Sequence, residues 1–243
     1  LFWKEIFNLN YDNKDEYMIK ALIFDLDDTL YYEMEYVLRA FKEVARYFGN
    51  EYKKDSEKLY LRMKQILEES GRGKIFNIIC EENGFREDIN VLVDLYRSSV
   101  PKLELYEDSK EVLNWARENG YKLGIITDGC SKVQWNKITA LSVEKLVDKI
   151  IVTDDLGREF WKPNKRAYLD IIGFFDIDEE ECVYIGDNPN KDFIGAKEIG
   201  MKTVRVIREN GDHINTFLDE KYEADLNITN LLELINLLEN RKL

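Results

Sequence analysis

Ala21-Leu22-Ile23-Phe24-Asp25-Leu26 is an apolar run too short for a helix, and it leads into acidic residues. Apolar runs of about four to eight residues, without polar alternation, mark strands covered on both faces, as in a parallel sheet. Lys122–Thr127, residues 149–153 and Cys182–Gly186 repeat the design, and a further apolar run spans 203–207. Between them the spacing becomes helical: 109–119, ending before Gly120; Ser131–Leu141; 164–174, preceded by Pro163; and 190–199, stopped by Gly200. Strands alternating with helices predict an α/β fold, a doubly wound parallel sheet.

Residues 33–100 break the alternation with about four helical patterns and no strand. In the first, Met34, Val37, Leu38, Phe41, Ala45 and Phe48 share a face ahead of Gly49. A crossover between parallel strands needs only about a dozen residues, so this stretch is expected to be a small all-helical domain. The sheet domain then comprises 18–32 and 101–243. Residues 1–17 stand apart as an N-terminal extension, packed on the core or left from a longer upstream chain. A last helix is expected over 229–240, rich in leucine and packed at the sheet edge.

Composition narrows the function. Lys plus Arg number 35 against 48 Asp plus Glu, a net charge of −13, and no basic cluster is present to follow a phosphate backbone, so nucleic acid is not an expected partner. No apolar stretch approaches the ~20 residues of a membrane span, which leaves a membrane equally unexpected. Cys80, Cys130 and Cys182 are odd in number and lack CxxC spacing, as expected of reduced thiols in a cytoplasmic protein. Nothing in the sequence fixes an oligomeric state.

The chemistry-bearing residues sit where the apolar runs end. In Asp25-Leu26-Asp27-Asp28-Thr29 the first carboxylate leaves the strand end and the second lies two residues on. That pair can divide the work of phosphate-ester cleavage: Asp25 attacks phosphorus, while Asp27 protonates the ester oxygen and later activates water. Asp187, following another strand, is expected beside Asp25 on the same edge. Clustered carboxylates repel one another and call for a cation, and oxygen donors without His or Cys favour Mg2+. Thr127, with the backbone amides of Asp128 and Gly129, can hold phosphoryl oxygens, and Lys162 supplies positive charge. The Gly71-Arg72-Gly73-Lys74 segment either presents Arg72 and Lys74 to a substrate or is a turn between helices.

With these residues in order, the sequence resembles the haloacid dehalogenase-like hydrolase superfamily. Asp25-Leu26-Asp27-Asp28-Thr29 resembles its first motif, Ile126-Thr127-Asp128-Gly129 the second, Lys162-Pro163 the third, and Gly186-Asp187-Asn188-Pro189 with Asp192 the fourth. The resemblance implies that Asp25 is nucleophile and metal ligand. It makes Asp27 the acid/base, with its carbonyl on the metal, and Asp187 a further ligand. Thr127 and Lys162 bind phosphate, Asp192 and Thr29 play supporting parts, and residues 33–100 form a cap. Phosphatases of the superfamily carry the second aspartate of motif one and dehalogenases lack it, so Asp27 implies a phosphatase acting on a small phosphorylated metabolite. A phosphomutase, or a receiver-like module that accepts phosphate without turnover, are the alternatives. Asp128 departs from the commoner Asn, and its charge suits a phosphate site only if it is paired or turned away.

Overall fold

The computed structural model describes residues 18–243; the proposed N-terminal extension, 1–17, lies outside the described residues. Six strands, β1 (Ala21–Phe24), β2 (Lys122–Thr127), β3 (Lys149–Val152), β4 (Cys182–Gly186), β5 (Lys202–Val206) and β6 (Leu226–Ile228), form one sheet. Their order is β3-β2-β1-β4-β5-β6, and every neighbouring pair is parallel. This is the doubly wound arrangement that the strand–helix alternation predicts.

The helices are α1 (Glu33–Tyr52), α2 (Ser56–Ser70), α3 (Ile75–Asn83), α4 (Ile89–Arg97), α5 (Glu107–Glu118), α6 (Ser131–Leu141), α7 (Arg166–Phe175), α8 (Ile194–Lys197) and α9 (Glu233–Glu239). Successive strand side chains point to opposite faces. Leu22 and Phe24 accordingly join one core with Val112 of α5, Ile138 of α6 and Leu234 of α9. Ala21 and Ile23 join another with Ile171 of α7 and Ala196 of α8. All four β1 residues are therefore buried, which accounts for an apolar run without alternation.

Helices α1–α4 surround a separate apolar core that includes Val37, Phe41, Phe48, Met63, Ile79 and Leu92. Gly49 does not stop α1, which continues to Tyr52 and ends at Lys53 with φ 53°. A Cβ on Gly49 would collide with Ser56 Oγ, so this glycine admits the start of α2 against α1. Two other expectations are corrected. The helix expected over 190–199 is reduced to α8, because Asn188–Asp192 forms a turn in which the Asp192 side chain accepts the Asn188 N–H. The stretch before α9 yields β6, a three-residue edge strand in which Leu226 is half-buried, Asn227 exposed and Ile228 buried. No helix among the described residues is long and apolar enough to cross a membrane, and all three cysteines are free.

Candidate active site

The order of the strands reverses at β1: β2 and β3 extend to one side, β4, β5 and β6 to the other. Ligand sites of open parallel sheets lie at the carboxyl ends of the strands beside such a switch. Phe24 pairs with Ile185, and the Asp25 N–H still reaches Ile185 O at 2.7 Å. The ladder thus fixes Asp25 to the last position, beside Asp187 at the end of β4. Both side chains are buried.

Lys162 reaches this point from the loop before α7. Its Nζ lies 2.8 Å from Asp25 Oδ1 and donates to Asp192 Oδ1 at 2.7 Å and Tyr184 Oη at 3.0 Å. The lysine side chain has no exposed surface, so the carboxylates are what make its charge tolerable. Gly186 is required for this packing, since a Cβ there would lie 2.5 Å from Asp192 Oδ2.

Electrostatics divide the carboxylates into two groups. Burial, opposed by Lys162 and reinforced by Asp192, pushes Asp25 up to about 6. Burial and then the charges of Asp192, Asp25 and Asp28 drive Asp187 well above the usual carboxylate range. Asp192 is buried too, but Lys162, Lys191 and the Asn188 N–H hold it low. Oxygens of Asp25, Asp187 and Asp192 come within 4.8 Å of one another, and Asp25 Oδ1 receives no aligned hydrogen bond. A donor set made only of oxygens, under mutual repulsion, fits a hard divalent cation.

This fit has a thermal consequence. Asp187→Asn removes one repelling charge, so the metal-free variant is expected to melt a few degrees above wild type, at about 2–4 °C per kcal/mol relieved. Wild type should gain about 2.7 kcal/mol at magnesium a hundredfold above its Kd, and the variant almost none. Melting curves with and without magnesium check both statements; an equal magnesium-induced rise in the two proteins would remove Asp187 from the cation site.

Asp27 lies beyond the ladder, on a loop turned by Asp28 at φ 50°. The Asp28 carboxylate accepts the N–H of Glu33 and of Asp212, both at 3.0 Å, and burial raises it to about 6. Asp27 Oδ1 accepts from Tyr31 Oη at 2.6 Å and Lys137 Nζ at 2.7 Å, and its Oδ2 accepts from Gln134 Nε2 at 3.0 Å. Burial works against ionisation, but Lys137, Tyr31 and Gln134 outweigh it and hold the carboxyl below its ordinary value.

Thr127 ends β2, and its Oγ1 accepts from Gln134 Nε2 at 2.6 Å, which leaves the hydroxyl proton free to donate. Gly129 turns the chain at φ 133° against the Gln134 side chain. The Asp128 carboxylate is paired: Oδ1 accepts from Thr153 Oγ1 at 2.7 Å and from the Lys162 N–H at 3.1 Å, and Oδ2 lies 3.5 Å from Lys191 Nζ. The condition attached to its charge is met. The Thr29 hydroxyl is buried without a partner, and its carbonyl accepts from Arg208.

A cavity of about 220 Å³ is lined by Asp25, Asp27, Asp28, Asp128, Asp187 and Lys191, whereas Thr127, Gly129 and Lys162 are not among its lining residues. Arg72 also lines it, bound to Glu33 and Asp212 at 2.7 Å each, whereas Lys74 is exposed and does not line it. Lys191, Glu33, Gln134 and Lys137 were not singled out in the sequence. A signal existed for two of them: Gln134 and Lys137 fall on the buried face of α6, among Val133, Ile138 and Leu141, where the helical period calls for apolar side chains.

The carboxyl edge of the parallel sheet gathers buried Asp25, Asp187 and Asp192 around buried Lys162, which makes this an α/β protein with an acidic site at its switch point. The model of haloacid dehalogenase-like hydrolases matches residues 22–206. The chain is 30% identical to a glyceraldehyde 3-phosphate phosphatase of Methanocaldococcus jannaschii, over 93% of this chain and 99% of that one. It is 25% identical to pyrophosphatase PpaX of Bacillus mycoides, over 77% and 83%. A solved HAD phosphatase from Thermococcus onnurineus superposes with a TM-score of 0.59 at 26% identity, covering 90% of this chain and 98% of that one. The chain belongs to the haloacid dehalogenase-like hydrolases. It is an enzyme acting on phosphate esters.

Proposed function

We propose that the protein is a magnesium-dependent phosphatase that hydrolyses a small, otherwise uncharged phosphate monoester through an aspartyl-phosphate on Asp25. The observation that carries this reading is the buried Asp25 carboxylate, 2.8 Å from Lys162 Nζ and beside Asp187 at the switch point of the sheet.

In the first step an Asp25 oxygen bonds to phosphorus, the bond from phosphorus to the leaving oxygen breaks, and Asp27, whose carboxylate takes up a solvent proton when the anionic ester enters beside it, gives that oxygen its proton. In the second, Asp27 takes a proton from water as the water oxygen attacks phosphorus, releasing inorganic phosphate and freeing Asp25. Thr127 Oγ1 and the amides of Asp128 and Gly129 orient the phosphoryl oxygens, and Lys162 balances charge on both sides of the transfer. A magnesium ion held by Asp25, Asp187 and the Asp27 carbonyl would supply charge to offset the phosphoryl group. Asp192 fixes Lys162 and the Asn188 turn. Helices α1–α4 act as the cap that excludes bulk water.

The leaving group follows from volume and charge. A cavity of about 220 Å³ accommodates a phosphoryl group with a small organic part. The cations that line it already face carboxylates: Arg72 meets Glu33 and Asp212, and Lys191 lies 3.5 Å from Asp128; Lys162 and Lys137, which are not among the lining residues, are held by Asp25 and Asp192 and by Asp27 and Glu33. A second anionic group on the substrate would meet an acidic wall. A triose phosphate fits both requirements, in keeping with the activity named for the archaeal relatives.

The test is a panel of glyceraldehyde 3-phosphate, glycerol 3-phosphate, 3-phosphoglycerate and pyrophosphate, each with and without magnesium, reading free phosphate. The uncharged esters should exceed the carboxylate-bearing ester and pyrophosphate at least tenfold in kcat/KM. A preference for pyrophosphate, isomer formation without free phosphate, or a phospho-enzyme that does not turn over would overturn the proposal.

A further inference from the structure

We propose that Lys137 is the positioning residue for Asp27, with Tyr31 and Gln134 completing a three-donor clamp on its carboxylate. The inference rests on the reading of Asp27 as the acid that protonates the leaving oxygen.

A lysine in the middle of α6 with only 3% of its side chain exposed is unfavourable for stability alone. A buried ion pair is often no better than apolar residues of the same size, and the neighbouring helix positions are filled by Val133, Ile138 and Leu141. What Lys137 does accomplish is geometric. Its Nζ lies 2.7 Å from Asp27 Oδ1 and 3.2 Å from Glu33 Oε1, with the Tyr36 ring centroid 5.2 Å away. It thereby ties the loop after β1 to the first residue of α1.

Asp27 needs such a tether. It sits past the last paired residue of β1, where a single isolated bridge to Tyr31 is its backbone pairing. Gln134 adds a second constraint, because one amide nitrogen donates both to Thr127 Oγ1 at 2.6 Å and to Asp27 Oδ2 at 3.0 Å. The hydroxyl that faces the phosphoryl group and the carboxyl that faces the leaving oxygen are therefore held at a fixed separation. Tyr31 closes the third side. A misplacement of about 1 Å in a reacting group can cost 10²-fold, so the clamp should matter most when proton delivery limits the rate.

Leaving-group dependence separates this role from a structural one. p-Nitrophenolate departs without a proton, whereas the alkoxide of glycerol 3-phosphate does not, and kcat/KM reports only the steps through bond breaking. Lys137→Met should lower kcat/KM for glycerol 3-phosphate about 100-fold and that for p-nitrophenyl phosphate less than about fivefold, within the range of general acid catalysis. Lys137→Arg, which keeps the charge, should recover most of the loss. Asp27→Asn is the reference and should show the same selectivity, more strongly.

Equal losses on both substrates in Lys137→Met, or none, would sink the clamp while leaving Asp27 as the acid. Absence of discrimination in Asp27→Asn itself would remove the acid role on which the inference rests. Should Lys137→Met not fold, Tyr31→Phe decides by the same comparison: it deletes one donor at 2.6 Å without leaving a charge unpaired. It is expected to slow glycerol 3-phosphate several-fold and the aryl ester not at all, and equal rates with wild type on both would overturn the proposal.

Discussion

Asp25→Asn is expected to lower phosphate release by at least about 10⁴-fold while leaving the protein folded. An amide nitrogen or oxygen is a poor nucleophile toward phosphorus, and loss of the attacking group in an enzyme with a covalent intermediate costs on the order of 10⁴–10⁶ in kcat. The fold should tolerate the change because Asp25 is not a structural linchpin. Its backbone N–H, which anchors the loop to β4, is untouched. Its Oδ1 has no aligned donor, and burial already holds the carboxyl up at about 6. Removing the charge gives up the Lys162 pair but relieves repulsion with Asp187 and Asp192, and Lys162 keeps its bond to Asp192 at 2.7 Å. The melting temperature should therefore stay within a few degrees of wild type. Phosphate release from glycerol 3-phosphate, together with trapping of labelled phospho-enzyme from a rapid acid quench, checks the result. Near-normal turnover by the variant would exclude an aspartyl-phosphate at this position.

Much of this site is legible in the sequence for a physical reason. In a parallel sheet each apolar run points its carboxyl end to the same edge, so the residues that close such runs, Asp25, Thr127 and Asp187, must meet wherever the strands are adjacent. The order of the strands was not needed to foresee that they share an edge. Lys162 is legible only by its company, since it follows no strand and reaches the edge from a loop.

The remainder depends on pairings across long stretches of chain. Lys137 stands out on the apolar face of α6, but its partner is not legible until Asp27, far earlier in sequence, is placed beside it. Arg72 and Asp212 carry no signal of their ion pair until the helical segment is laid over the sheet. Strand β6 is hidden because exposed Asn227 separates its two apolar residues, which breaks the continuity seen in the central strands. Gly49 misleads for a related reason: a glycine that permits close approach of two helices looks, in one dimension, like one that ends a helix.

The same pairings make Lys162→Met the most destabilising substitution expected at the site. Its ammonium is the common partner of Asp25 and Asp192 and also donates to Tyr184. Methionine fills the space but leaves the carboxylates without their cation, and breaking a buried pair from one side costs about 3–5 kcal/mol. At about 2–4 °C per kcal/mol for a chain of this size, the melting temperature should fall by roughly 6–20 °C. The sign of the pH dependence identifies the cause. In wild type Lys162 holds Asp192 below its ordinary value, so this pairing stabilises the fold fully above the unfolded carboxylate value of about 3.9 and loses its effect as pH falls through the lower folded one. Without Lys162 the buried carboxylates shift upward, their ionisation opposes folding, and protonation on acidification relieves the strain. The deficit against wild type should therefore be larger at pH 8 than at pH 5 in metal-free melts. A deficit that is the same at both pH values would mean that Lys162 stabilises by packing rather than by charge, and it would withdraw the electrostatic role given to it beside the nucleophile.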